Sequence, residues 1–506
     1  MAIDNLWLLI QALSPQEKRF FKRDFLKIKE LETPPLFVQL FDIISKQRDF
    51  NENEILKSLS PQLNKSNLAY TKNYLFEQLC DALVRIDSQS ESDAQLNKEL
   101  NLIKIFRKKG LYHHALKIWK RAIQYARKME KFSHVLLLKD EYKKLQLYSN
   151  PNVKQSDLQF EYDSSVIVMG EYNKLIQLQE LQFKILLLRR RTHFNFSEAD
   201  KKELDRMIGL NIINERPISK SFLILHYFLN TNATLYYLKG SPECYQYAYE
   251  NIIKWQQQKI FIENHTEYYL EALYIFYYAA ILAKQYDHIE DIMNHPINNT
   301  LDDHYLQSYF EAIKFLALNR IYNIMGDYNK VAEVIQKVKQ NIKKWDNLVN
   351  TEIRRTLFIS IGIACFALED FEDAFYFTKQ GLFSFNDESR KDQYSFANLF
   401  LLIISFELKD RFLLEQQYKS AYNYFYKNEK PLPFEKKILQ AIMKASSTPN
   451  RMDQKHIFQE LLNTLEKTKS NPIQQSVFNY FNIPAWLESK INRVPYKEWV
   501  TRKLKE

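Results

Sequence analysis

Residues 326–338, Gly-Asp-Tyr-Asn-Lys-Val-Ala-Glu-Val-Ile-Gln-Lys-Val, form the stretch that decides the fold. The pair Gly326-Asp327 is typical of a tight turn, and Tyr328 opens the segment that follows it. Apolar residues then recur at the spacing of one helical face. They are Val331, Ile335 and Val338. The stretch therefore predicts a helix that starts at the turn and packs its apolar face on the helix before it.

The same unit recurs along the chain with a nearly constant period. The turn aromatics from Tyr245 onward are 41, 42, 43 and 41 residues apart, and Tyr245 lies 133 residues after Tyr112, close to three further periods. They are Tyr245, Tyr286, Tyr328, Phe371 and Phe412. We expect each aromatic to wedge between the two helices of its hairpin. Because one hairpin cannot bury its apolar face alone, neighbouring hairpins must stack. The predicted fold class is all-α, an α-solenoid with a period of about 42 residues and helical caps.

Two copies of the unit carry a family resemblance. Ile361-Gly362 followed by Phe371 and Ala374 is one, and the other is Gly110 with Tyr112, Ala115, Trp119 and Ala122. These residues resemble the tetratricopeptide repeat (TPR), and the resemblance covers about residues 95–425. It implies a right-handed superhelix with a concave surface that binds peptides or protein segments. The family period is about 34 residues, so the chain resembles a divergent relative with longer helices. Its period is also close to that of HEAT-type repeats.

The repeat pattern divides the chain into three predicted regions. Residues 1–92 form a helical N-terminal cap, residues 93–427 the TPR-like solenoid and residues 428–506 a helical C-terminal cap. Ser14, Pro15 and Glu17 are typical of a helix start. The repeat signal fades between residues 125 and 240.

The amino-acid composition limits the classes of protein to which the chain can belong. Only 7 glycines in 506 residues argue against nucleotide-binding α/β folds and sheet proteins, which need many tight turns. Three widely spaced cysteines indicate a reducing, cytoplasmic location without disulfides. We find no signal peptide and no apolar run long enough to span a membrane. The net charge of +10 can attract nucleic acid, anionic lipid or an acidic protein, but AT-rich codon usage also explains an excess of lysine.

The common catalytic motifs are missing from the sequence, which has no phosphate-binding glycine loop, nucleophile elbow or zincin motif. His288, Asp291 and His295 share one helical face and could hold a metal. Pro296 directly follows, so a helix terminus that favours histidine is the stronger interpretation. We therefore predict a binding protein rather than an enzyme, without catalytic residues, metal or cofactor.

The predicted function is a scaffold or adaptor that holds a protein or peptide segment on its concave face, and an acidic segment is one option. In the TPR family the first helix of each hairpin lines that face. Transferring this register to three hairpins gives the candidate partner-binding residues. They are Asn101, Lys104, Lys108, Tyr274, Tyr278, Arg320 and Asn323.

A nucleic-acid-binding or peptide-sensing regulator is the alternative. Helices predicted at 52–59 and 67–86 could form a helix-turn-helix whose reading helix starts at Asn67-Leu68-Ala69-Tyr70-Thr71-Lys72-Asn73. Some bacterial regulators resemble this plan, with a DNA-binding head before peptide-sensing repeats. The connection contains Pro61 and is longer than the usual turn of about three or four residues, which favours an ordinary capping hairpin.

Overall fold

A computed structural model of the chain is all-α: the described residues form helices and no β-strand. Two compact units, residues 1–172 and 173–506, are each described by themselves. The regions predicted as 1–92, 93–427 and 428–506 stay predictions. The structure describes residues 4–13, 15–26, 34–47, 50–90, 92–150, 152–192, 196–301, 304–345, 351–383, 391–428, 433–467, 477–478 and 480–504.

The first unit contains a core of short helices followed by a three-helix group. Asp4 caps the first helix, because its Oδ1 accepts hydrogen bonds from the backbone N–H groups of Leu6 and Trp7. The second helix begins at Pro15, as predicted, whereas Ser14 lies outside the described residues. The helices are α1 (Asn5–Ala12), α2 (Pro15–Leu26), α3 (Leu36–Lys46), α4 (Glu52–Ser58), α5 (Lys65–Ser90), α6 (Ser92–Lys108), α7 (Tyr112–Lys128) and α8 (Phe132–Ser149).

The region where the repeat signal fades has a different construction. Helix α9 (Gln155–Thr192) is 38 residues long, and its residues after Tyr172 belong to the second unit. Two short helices follow, α10 (Glu198–Ile208) and α11 (Asn211–Asn214). A long helix and two short ones replace the regular pairs here, which explains why no period is visible in the sequence.

The rest of the second unit consists mainly of helix pairs joined by short turns. The helices are α12 (Phe222–Leu238), α13 (Cys244–Gln256), α14 (Lys259–Asn264), α15 (Thr266–Ala283), α16 (Ile289–Met293), a 3₁₀ helix (Pro296–Thr300), α17 (His304–Met325), α18 (Tyr328–Trp345), α19 (Thr351–Ala367), α20 (Phe371–Phe383), α21 (Lys391–Leu408), α22 (Arg411–Asn428), α23 (Pro433–Ser447), α24 (Arg451–Lys467), α25 (Ile483–Asn492) and α26 (Tyr496–Lys503). First helices contact one another from pair to pair, α12 with α15, α15 with α17, and α17 with α19.

Each turn in this series contains one residue in the left-handed region of backbone conformation, one or two positions after the end of the first helix. These residues are 44, 42, 43 and 40 positions apart. They are Gly240, Lys284, Gly326, Glu369 and Lys409, with φ between 56° and 74°. A left-handed residue lets the chain leave the helix while its N–H groups still bond to the last carbonyls. The turn is thus structurally constant although only two of the five residues are glycine.

The turn aromatics follow the wedge prediction at some positions and not at others. Tyr328 is buried at the start of α18, and Phe371 packs edge-on against Phe366. Phe412 departs from the prediction, since 80% of its surface is exposed. Leu414, two residues later, is buried instead. The prediction that Phe412 wedges inside its hairpin is therefore wrong, because helix α22 turns a smaller apolar residue inward.

Candidate partner-binding site

A cleft of about 680 Å³ lies in the second unit, where the turns of several helix pairs come together. Its walls are the ends of α21, α23 and α25, the beginnings of α22 and α24, and the turn after α19. The volume falls in the range of about 300–1,000 Å³ that is usual for ligand sites. Because the walls are helix ends and turns, the cleft opens at the edge of the unit.

The lining of the cleft is rich in positive charge. Six basic side chains line it against three carboxylates, which gives a net charge of +3. The basic residues are Lys409, Arg411, Arg451, Lys455, Lys490 and Arg493, and the acidic ones are Glu369, Glu407 and Asp410. An excess of one sign in a concave surface raises the local concentration of ligands of the opposite sign.

Two of the three carboxylates already have partners. Glu407 is largely buried; its Oε1 accepts a hydrogen bond from Trp486 Nε1 at 2.6 Å, and its Oε2 accepts one from Lys490 Nζ at 2.5 Å. Asp410 caps α22, since its Oδ1 accepts a hydrogen bond from Leu413 N at 2.9 Å. These acids therefore serve the fold and leave most of the cleft cations uncompensated.

Four cations of the cleft are exposed and have no ion pair within the described part of the chain. They are Lys409, Arg451, Lys455 and Arg493. Arg411 differs, because it pairs with Glu415 one turn later at 3.2 Å. A cluster of uncompensated cations repels itself, and binding of an acidic group relieves that repulsion. The four side chains are therefore available to a ligand.

Three cleft residues hold the left-handed backbone conformation that favours glycine. Glu369 has φ 63°, and both Lys409 and Arg493 have φ 58°. For a residue with a side chain this conformation costs roughly 1–2 kcal/mol. The equivalent turn at Gly326 avoids that cost. Lys284 holds the same conformation at an equivalent turn outside the cleft, so this conformation is a property of the turns rather than of the cleft.

Two exposed apolar residues follow cleft arginines in the sequence but do not line the cleft themselves. Phe412 directly follows Arg411, and Met452 directly follows Arg451, each at the second position of its helix. They are 80% and 56% exposed.

The candidate residues of the first unit lie together on one helix. Asn101 and Lys108 are exposed on α6, and Lys104 is partly buried there. Helix α6 packs on α7 and α8. The proposed contact of these three residues with a partner stays a prediction.

Tyr274 and Tyr278 lie on α15 and are joined by a hydrogen bond between their hydroxyl oxygens at 3.1 Å. Burial raises the pKa of Tyr274 well above its ordinary value. The Arg189 guanidinium lies 6.0 Å from the centre of the Tyr278 ring. Glu271, one turn before Tyr274 on the same helix, accepts a hydrogen bond from Gln182. This part of α15 therefore already contacts residues of α9 that belong to the second unit.

Arg320 and Asn323 lie on α17 and are also engaged within the chain. Arg320 Nη1 donates a hydrogen bond to the carbonyl oxygen of Tyr480 at 3.0 Å. Asn323 Nδ2 donates to the carbonyl oxygen of Asn319 at 2.8 Å. Residues 480–504 pack over the ends of the first helices, with Phe481 5.1 Å from Phe366, ring centre to ring centre. The role of Arg320 and Asn323 in partner binding stays a prediction.

The two histidines considered as metal ligands each make a different contact within the chain. The His288 ring packs on Tyr249, with ring centres 4.9 Å apart. His295 Nδ1 accepts a hydrogen bond from Ile297 N at the start of the 3₁₀ helix. In the ranges that the structure describes, no three or more His, Cys, Asp or Glu residues are grouped so that they could hold a metal ion.

The candidate reading helix corresponds to the start of α5. Tyr70 is 75% exposed there, whereas Thr71 is buried. Lys72 forms an ion pair with Asp4, and its ammonium lies 4.7 Å from the centre of the Phe50 ring. Lys72 therefore serves the core of the first unit rather than an external phosphate. The regulator hypothesis stays a prediction.

No model of a known protein family matches the sequence, and no curated protein matches it. None of the helices in the described ranges combines the length and the apolar character needed to cross a bilayer.

The sequence contains a signal for the cleft that lies in the turns rather than in the first helices. A cap residue and an arginine occur together at two consecutive turns, as Asp410-Arg411 and Asn450-Arg451. Alignment of the turns, rather than of the first helices, places these arginines at equivalent positions. The contribution of Lys490 and Arg493 could not be found this way, because their position depends on how residues 480–504 pack.

Proposed function

We propose that the protein is a binding scaffold, built as a solenoid of TPR-like helical hairpins, that holds a segment of a partner protein without catalysing a reaction. The recurring helix pairs, the contacts between successive first helices and the constant left-handed turn residue support this architecture. Repeats of this kind present extended surfaces that suit protein segments.

The observation that carries the proposal is the set of four exposed, unpaired cations in the cleft: Lys409, Arg451, Lys455 and Arg493. A partner segment with several carboxylates would neutralise these charges. Arginine adds specificity, because its guanidinium can bind a carboxylate through two parallel hydrogen bonds. The proposed ligand is therefore an acidic segment.

The cleft is a better primary contact than the face of the first helices in the second unit. Tyr274 and Tyr278 bond to each other, and Arg320 bonds to the backbone of Tyr480. A partner at these residues would have to replace contacts within the chain, whereas the cleft cations lose only water.

Nucleic acid is the second candidate ligand, and the same four cations favour it. Phe412, an exposed aromatic residue directly after Arg411 in the sequence, could also stack on a base. Phosphate contacts of this kind would make binding fall steeply with salt. The protein ligand is preferred because these four cations line a single cleft of about 680 Å³, which suits a short segment better than a long nucleic-acid backbone.

The test is affinity capture from native lysate, with and without nuclease, of the wild type and of Arg451→Glu/Lys455→Glu. A matched control reverses two exposed lysines of α23, Lys436→Glu/Lys437→Glu. We expect capture of an acidic protein partner that is unaffected by nuclease. The captured amount should fall by about tenfold or more in the cleft variant, because attractive contacts become repulsive. The control variant should capture as much partner as the wild type. Equal loss from both variants, or loss on nuclease treatment alone, would refute the proposal.

A further inference from the structure

One face of helix α9 carries exposed apolar side chains along most of its length. Six of them recur at spacings of 4, 3, 7, 7 and 4 residues, and each is between 45% and 68% exposed. These six residues, the α9 stripe, are Tyr162, Val166, Met169, Ile176, Phe183 and Leu187. In the second-unit part of the helix, Leu178, Gln182 and Ile185 are buried on the opposite face. A continuous apolar stripe of this kind marks an interaction surface.

The spacing of the α9 stripe is that of a coiled coil. Steps of four and three residues alternate, and the two positions that the apolar residues skip are occupied by Asn173 and Glu180. A heptad repeat of this kind keeps one seam facing a partner helix over many turns. Polar residues within the seam, such as Asn173, fix the register at some cost in stability. The seam extends from residue 162 to residue 187, about 38 Å along the helix axis, so the partner that fits it is another long helix.

The distribution of charge along α9 shows which helix complements it. Residues 155–172 contain four acidic residues and no basic one, whereas residues 173–192 contain five basic residues and one acidic one. Parallel pairing of two copies would bring like charges together, and antiparallel pairing brings the acidic half of one helix against the basic half of the other. The charges of α9 thus complement those of a second copy in antiparallel orientation.

Two charged residues beside the seam fix the register of this pairing. When Tyr162 of one copy lies opposite Leu187 of the second copy, Asp163 and Lys184 lie opposite each other twice in the dimer. A shift by one heptad in either direction would separate them. Both side chains are exposed. Within its own helix Asp163 accepts a hydrogen bond from Gln159, and Lys184 pairs with Glu180 at 3.4 Å. Local surface contacts of this kind contribute little, so they do not oppose the pairing between copies.

We propose that two copies of the chain associate through the α9 stripe as an antiparallel pair of helices. The apolar layers of the stripe supply the affinity, whereas the two pairs of Asp163 with Lys184 fix the orientation and the register. This inference does not rest on the acidic ligand of the cleft, because none of the described cleft residues belongs to α9.

Sedimentation velocity of the full chain over a range of concentrations tests the association. The wild type should convert from monomer to dimer as its concentration rises. Ile176→Ser/Phe183→Ser should weaken the dimer by about hundredfold or more, because four apolar side chains per dimer lose their burial. The control Phe160→Ser/Ile167→Ser changes two exposed apolar residues of the same helix that lie outside the stripe, and it should leave the dimer unchanged.

Exchange of the two charges tests the orientation. Asp163→Lys should weaken the dimer by about three- to tenfold, since two attractive pairs become repulsive, and Asp163→Lys/Lys184→Asp should restore it. A wild type that stays monomeric over the whole range, or a dimer that survives Ile176→Ser/Phe183→Ser, would refute the α9 interface. A dimer that depends on the stripe but is not restored by the charge exchange would refute the antiparallel pairing.

Discussion

Replacement of Gly362 by alanine tests the close packing of α19 on α20. A methyl group at this position would fall inside the contact distance of Thr378 Oγ1 and would lie 3.2 Å from both Ala374 O and Thr378 N. Thr378 is fully buried, so its side chain has little room to turn away. The two backbone contacts remain short whichever rotamer Thr378 takes. The helices must therefore separate by a few tenths of an ångström.

The size of the effect follows from two opposing terms. Overpacking of a core by one methyl group costs about 1–3 kcal/mol, whereas alanine is favoured over glycine within a helix by about 0.5–1 kcal/mol. Gly362→Ala should therefore lower the free energy of unfolding by about 1–2 kcal/mol. Gly170→Ala, where an added methyl group meets no atom within 4 Å, receives the helical gain alone. Because the helical gain is common to both variants, they should differ by the overpacking cost of about 1–3 kcal/mol.

Urea unfolding followed by circular dichroism measures this difference. Gly362→Ala should shift the midpoint to lower urea concentration and Gly170→Ala should shift it higher. Removal of the Thr378 hydroxyl and methyl groups in Gly362→Ala/Thr378→Ala should recover part of the loss. Gly362→Ala with a midpoint equal to that of Gly170→Ala would refute the close approach of α19 and α20.

Two further predictions concern buried polar groups of the second unit. Burial lowers the pKa of His226 from 6.5 to about 4. Between these two pH values the unfolded chain binds a proton that the folded chain does not. The free energy of unfolding should therefore fall by about 3 kcal/mol as the pH drops from 6.5 to 4. Comparison of wild type with His226→Gln by urea titration at several pH values should show a smaller fall in the variant, and parallel curves would contradict this. Glu407→Ala leaves Trp486 Nε1 and Lys490 without their acceptor, so the free energy of unfolding from thermal denaturation should fall by about 3 kcal/mol. An unchanged thermal midpoint would show that Glu407 does not hold residues 480–504.

The sequence predicts the conformation of the turns better than the burial of the side chains that follow them. Gly326-Asp327-Tyr328 gives a helix, a left-handed turn residue and a buried aromatic, because all of these depend on neighbours in the chain. Lys409-Asp410-Arg411-Phe412 has the same turn, yet Phe412 points outward. Whether an aromatic is buried depends on the helices around it, and those are not encoded within the turn.

The candidate site was harder to predict for the same reason. Arg320 has the spacing of a groove residue, but its partner Tyr480 lies 160 positions away. Glu407 and Trp486 are 79 positions apart and together fix one wall of the cleft. No periodicity links such distant residues. The cations at Arg411 and Arg451 were visible as turn residues, whereas their convergence required the packing of four helix pairs.

Site-specific photo-crosslinking in native lysate tests the central claim, binding of an acidic protein segment in the cleft, most directly. One photoreactive residue would replace Ser446, which lines the cleft, and a second would replace Lys437, which is exposed on α23. We predict protein adducts at position 446 whose crosslinked peptides are rich in Asp and Glu, and their loss when Arg451→Glu/Lys455→Glu is added. The same adducts from both positions, or adducts at position 446 that survive the charge reversal, would contradict the account.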